Sequence, residues 1–198
     1  FGASYNLTGA DMTAYSFDPL VVAARSLEYL FLPPVMQAGY PFIHAVDELA
    51  GLPACLWTNE PVYGGFFAFA PAAFAVFALA GKKTRSSLAE RGALGLALAC
   101  VALAAVVLVV VSYVSGVTMR YFADFAWLLV LPATLVLWNA MEGERARGEV
   151  RTSGSLSALA IAGFPLYCWT FLATTRFGAL IVASPWIYNG VDALLRFL

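Results

Sequence analysis

The chain has 198 residues, 62% of them hydrophobic and only 12% charged, with a formal net charge of -1. A water-soluble domain carries about 45–50% apolar and about 25% charged residues, so the two departures together argue against such a domain and for a chain whose solvent is largely lipid. The cysteines Cys55, Cys100 and Cys168 and the single histidine, His44, form no CxxC or Cys/His spacing. That pattern argues against a disulfide framework or zinc site, and no metal, cofactor or nucleic-acid partner is expected.

In chain order, residues 1–61 read as an external segment lying on the membrane surface. The sequence opens at Phe1 with no basic run ahead of an apolar one, so no signal peptide is visible and the chain reads as the C-terminal part of a longer protein. Asp11 and Asp18 are candidates for a metal ligand or general base, with a helix cap or turn as the plainer role. Leu20 to Leu32 reads as a short helix with Leu20, Ala24, Leu27 and Tyr29–Phe31 mostly on one side, Glu28 solvated, and Pro33-Pro34 as its stop. Gly39-Tyr40-Pro41 and Gly51-Leu52-Pro53 read as turns, and Leu30 to Pro41 suits the headgroup zone. His44 with Asp47 and Glu48 is a weak metal signal. The sequon Asn6-Leu7-Thr8 matters only in a eukaryotic secretory pathway.

Residues 62–174 predict a bundle of four membrane-crossing helices, because about 20 apolar residues at 1.5 Å each cross a bilayer core. The four run from about Val62 to Ala80, Ala93 to Val114, Phe122 to Met141 and Leu156 to Thr174. Pro71 and Pro132 lie inside two of them and permit kinks. Gly64-Gly65 permits close packing. The first spacer holds Lys82, Lys83, Arg85 and Arg91, and the third holds Arg145, Arg147 and Arg151. The second spacer has Arg120 alone. By the positive-inside rule the first and third spacers are cytoplasmic. The N-terminal segment, with Arg25 as its only basic residue, and the C-terminus are then external. Residues 175–198 read as an external or interfacial amphipathic tail; a fourth helix extended to Ala183 with Arg176 snorkelling is the competing reading. The fold class is therefore all-α: a polytopic membrane bundle of four crossings with a partly helical external N-terminal segment, integral to the plasma (inner) membrane.

The outer start of the third crossing is the candidate site. Arg120 and Asp124 are four residues apart and share a helix face, and Asp124 lies where a carboxylate meets the positive end of the helix dipole. One role is an interfacial ion pair with Tyr121 and Trp127 as belt residues. The other places Arg120 in a water-filled cavity, its fork of donors on a phosphate of a lipid-linked substrate.

Two stretches, Phe1-Gly-Ala-Ser-Tyr-Asn-Leu-Thr-Gly-Ala-Asp-Met12 and Arg120-Tyr121-Phe122-Ala123-Asp124-Phe125, resemble segments of large bacterial membrane proteins. Those proteins look like multi-spanning glycosyltransferases of the C-type fold, which move a sugar from a polyprenyl-phosphate carrier on the outer membrane face. The resemblance covers the ends of the external segment and the third predicted crossing. It implies a transferase whose catalytic carboxylate lies upstream of Phe1, so catalytic residues are not assigned here. It also implies a carrier site with Arg120 on the phosphate and Tyr121 and Asp124 shaping the pocket. The partners so implied are the lipid bilayer, a polyprenyl-phosphate-linked sugar and the rest of the same protein. A transporter or flippase module and a non-catalytic membrane scaffold subunit are the competing functions. The transporter is disfavoured because the predicted crossings hold no charge near their centres.

Overall fold

In the computed structural model, which describes residues 18–36, 43–44, 62–114 and 121–148 and scattered positions between 154 and 193, Asp18 opens the first helix, α1 (Pro19–Phe31). Its side chain accepts hydrogen bonds from the backbone N–H groups of Leu20 (2.9 Å) and Val21 (3.5 Å). Pro19 occupies the first helical position, where its missing N–H costs nothing. The helix closes at Leu32, whose N–H donates to the Glu28 carbonyl, and Pro33-Pro34 prevents continuation, as the sequence predicts. Two short strands follow, β1 (Val35–Met36) and β2 (Ile43–His44), antiparallel with Val35 opposite His44. The sequence analysis anticipates no strand here. The predicted turn at Gly39–Pro41 falls between the strands, outside the described residues.

Where the sequence predicts a first crossing from Val62 to Ala80, the structure has two shorter pieces: α2 (Phe66–Phe69) and a 3-10 helix (Pro71–Ala80). Pro71 lacks the donor an α-helix needs and pushes Ala70 out of the α region, to φ -127°, ψ 61°. The 3-10 geometry explains the burial pattern that follows. With three residues per turn, positions three apart share a face; Ala73, Val76 and Leu79 are buried while Phe74, Phe77 and Ala80 are exposed.

Three helices complete the described chain: α3 (Lys82–Glu90), α4 (Leu94–Val114) and α5 (Phe122–Arg145). Gly92, at φ +70°, ends α3 in a left-handed turn: its N–H donates to Ala89 O and that of Ala93 to Leu88 O, both 2.9 Å, a Schellman closure. α4 and α5 are long and apolar enough to cross a membrane, and they match the second and third predicted crossings. Four such helices are not shown. The first predicted crossing is broken at Ala70–Pro71, and the fourth, like the C-terminal tail, falls almost wholly outside the described residues. Gly163, one described residue of that fourth stretch, packs on the break itself; a Cβ there would lie 2.7 Å from Pro71 Cδ.

α4 and α5 run antiparallel. At one end Ser87 donates to Asn139 (2.8 Å) and Arg91 pairs with Glu142. At the other, Ser26 of α1 bonds Ser112 near the end of α4, and Tyr29 meets Phe122 and Phe125 at the start of α5. The shared core takes Ala97, Cys100, Ala104 and Leu108 from α4 and Phe125, Leu128, Leu129, Ala133 and Val136 from α5. Small side chains on α4 bring the two backbones close. Only 22% of the apolar window of α4 and 33% of that of α5 are buried. Leu96, Leu103, Val106, Val110, Trp127 and Trp138 point away from the rest of the protein.

Candidate functional site

The described part of the predicted site lies where α5 begins. Tyr121 is half-buried and packs against the aromatic core, while the Asp124 side chain is exposed. Helical spacing explains the split, because Phe125, one residue after Asp124, is fully buried and the intervening 100° turns the carboxylate outward. Asp124 lies in the first turn, but no side chain caps the start of the helix, so its contribution there is charge near the dipole rather than a hydrogen-bonded cap. Arg120 lies outside the described residues, as do Asp11, Asp47 and Glu48. Asp18, a candidate ligand or base by sequence, is the N-cap of α1. Among the described residues no three His, Cys, Asp or Glu side chains converge as a metal site would require.

The feature the sequence analysis misses is on α1. Arg25 and Glu28 are each only 3% exposed. They lie three apart, on the face shared by the buried Val22, Tyr29 and Leu32. Glu28, read from sequence as solvated, is therefore inside. Leu20 and Leu27, read on one side of the helix with Tyr29, are 79% and 59% exposed, and Ala23 and Phe31 extend the same outward stripe, whereas Tyr29 is buried. The helix is predicted correctly, and the correction is to Glu28, which is buried rather than solvated. The charge pair opposite an apolar i, i+3, i+7, i+11 stripe was the available signal. It says that one face is charged and one apolar, and only the identity of the solvent decides which faces out.

Specific contacts hold that orientation. Ser26 Oγ donates to its own helix at Val22 O (2.8 Å) and, its one hydrogen so used, accepts from Ser112 Oγ (3.0 Å); Ser112 is fully buried. Tyr29, also fully buried, meets Phe122 and Phe125 edge-on with centroids 6.1 and 6.0 Å apart, the arrangement aromatic quadrupoles favour. Gly65 fixes the far end, donating its N–H to Leu32 O at 2.7 Å. A second aromatic group, Phe31, Phe67, Phe74 and Phe77, stacks on the outer side with centroid spacings down to 4.4 Å. One end of the bundle thus buries two charged side chains and a serine pair beside an outer group of phenylalanines.

No protein family, no characterised protein and no solved structure matches the chain.

Proposed function

We propose that the protein is the membrane-embedded portion of a glycosyltransferase-like protein that uses a lipid-linked sugar. In this proposal the α1 end of the bundle is the outer, carrier-binding end and both basic spacers are cytoplasmic. The observation that carries it is the inverted α1: a helix that hides Arg25 and Glu28 and presents leucines is stable against lipid and costly against water. Support for a phosphate-bearing carrier comes from the resemblance at Arg120–Phe125. Tyr121 and Asp124 of that motif lie at the same end as the buried charges. Arg120 supplies the phosphate contact and Tyr121 the pocket wall.

The test is Arg120→Ala in the intact protein. Sugar transfer from the polyprenyl-phosphate donor is abolished while membrane expression is unchanged; undiminished transfer refutes the assignment. Cysteine labelling at Ser86→Cys tests the orientation, because external labelling of that exposed α3 position reverses it. A transporter or flippase is the second reading, favoured by one observation: α1 brings two charges inside a bundle whose long helices have none at their centres. Carrier translocation across reconstituted vesicles without sugar transfer selects the transporter.

A further inference from the structure

The opposite end of the bundle has a different chemistry. Among the described residues it carries Lys82, Lys83, Arg85, Arg91, Arg145 and Arg147 against Glu90, Glu142 and Glu144. Arg91 is already paired with Glu142, and Glu142 also accepts from Trp138 Nε1 at 2.8 Å. Lys82, Lys83, Arg85 and Arg145 are exposed. They come from two elements, α3 and the last turn of α5, which the Ser87–Asn139 bond ties together. The patch sits directly between apolar segments: the 3-10 helix ends at Ala80 and α4 starts at Leu94. Exposed Trp138 marks the level at which the apolar surface of α5 gives way to charge.

Within α3 the charges oppose the helix. Three cations fall in its first four residues, its only acid, Glu90, is the last, and no side chain caps its start. Cations at that end are disfavoured by the macrodipole, so an anion held by the patch relieves both the dipole and the mutual repulsion of the side chains. The neighbouring apolar helices determine where that anion comes from, because a bilayer around α4 places phosphodiester headgroups at this level.

We propose that Lys82, Lys83, Arg85 and Arg145 form a binding patch for anionic phospholipid headgroups in the leaflet at this end of the bundle. The inference rests on the membrane-embedded reading above. It is independent of sugar transfer.

The experiment uses the full chain with Trp57, Trp127, Trp169 and Trp186 replaced by Phe, leaving Trp138, reconstituted into vesicles containing brominated phosphatidylglycerol or brominated phosphatidylcholine. Phosphatidylglycerol quenches Trp138 in preference to phosphatidylcholine by about fivefold for each charge engaged. The preference collapses in 0.5 M salt and in K82Q/K83Q/R85Q/R145Q, and survives in K82R/K83R/R85K/R145K, which controls for folding. Equal quenching by both lipids, or a preference retained in the Gln variant, overturns the patch. Loss of the preference on adding inorganic phosphate at constant ionic strength also overturns it, by assigning the site to a soluble anion. Absence of quenching by either lipid instead overturns the membrane-embedded reading, so the two failures are distinguishable.

Discussion

Replacing Gly65 by Ala introduces a single methyl group at the most crowded glycine of the N-terminal packing. The added Cβ would lie 2.5 Å from Leu32 N, 2.7 Å from Phe31 N and 2.8 Å from Leu30 C. Carbon contacts normally sit at about 3.5–4.0 Å, and all three atoms are backbone, so no rotamer change relieves the clash. The end of α1 must retreat by about 1 Å. That movement stretches the Gly65 N–H bond to Leu32 O, now 2.7 Å, and opens the Phe31–Phe67 stack, now 5.2 Å. Overpacking costs about 1–3 kcal/mol and a weakened hydrogen bond about 0.5–1.5 kcal/mol. The expected loss is thus about 2–4 kcal/mol, read by reversible unfolding of the full chain in mixed micelles at increasing dodecyl sulfate fraction. Gly95→Ala is the internal control. It lies in α4 with nothing within 4 Å of the added Cβ, and Ala in place of a helical Gly stabilises by up to about 1 kcal/mol. If Gly65→Ala falls within about 0.5 kcal/mol of wild type, the backbone approach of α1 to α2 is not as described.

Arg25→Met leaves Glu28 buried with its neighbouring cation removed and costs about 3–5 kcal/mol. Arg25→Met/Glu28→Met recovers most of that loss in the same micelle assay, and strict additivity of the single variants refutes coupling between the two. Gly92→Ala meets no atom within 4 Å yet must hold φ near +70°; the expected cost is about 1–2 kcal/mol, and an unchanged midpoint refutes the left-handed closure. Leu27→Lys places a charge on the outward stripe of α1. Against lipid it costs up to about 3 kcal/mol, whereas on a water-exposed face it changes stability by less than about 0.5 kcal/mol.

Length and purity of apolar runs made α4 and α5 legible, because no charge interrupts Leu94–Val114 and none falls between Phe125 and Met141. The limits of α1 were legible for a different reason. Pro33-Pro34 acts through local sterics, which need no knowledge of neighbours. The first predicted crossing failed where composition and geometry part: Phe66 to Ala80 is apolar throughout, but Pro71 removes a donor and Gly65 admits the end of α1. A hydropathy window registers neither effect. At the candidate site, Tyr121 and Asp124 fall at the start of α5, beside the end of α1. The burial of Arg25 and Glu28 was not legible because it depends on tertiary packing: the α1 residues beside them, Ser26 and Tyr29, meet Ser112, Phe122 and Phe125, which are distant in sequence.

The inside-out amphipathicity of α1, with Arg25 and Glu28 buried and Leu20, Leu27 and Phe31 exposed, joins the fold to the proposed function. Burying two ionisable side chains in a helix interface is unfavourable relative to water. The balance changes when the outward face meets hydrocarbon, where an exposed charge is the costlier alternative. Leu20, Leu27 and Phe31 outward with Arg25 and Glu28 inward is then the ordinary hydrophobic rule with the solvents exchanged. At 13 residues, α1 measures about 20 Å and falls short of a bilayer core of about 30 Å. A helix of that length with one lipid-compatible face is suited to one leaflet. In the membrane-embedded reading its apolar stripe stays in contact with acyl chains while its charged face turns toward the bundle. A lipid-linked substrate needs both environments within a few ångströms, a polar interior for the headgroup and an unbroken apolar surface for the tail. In the proposed function the leucine-bearing side of these 13 residues meets the tail and the opposite side lies toward the headgroup.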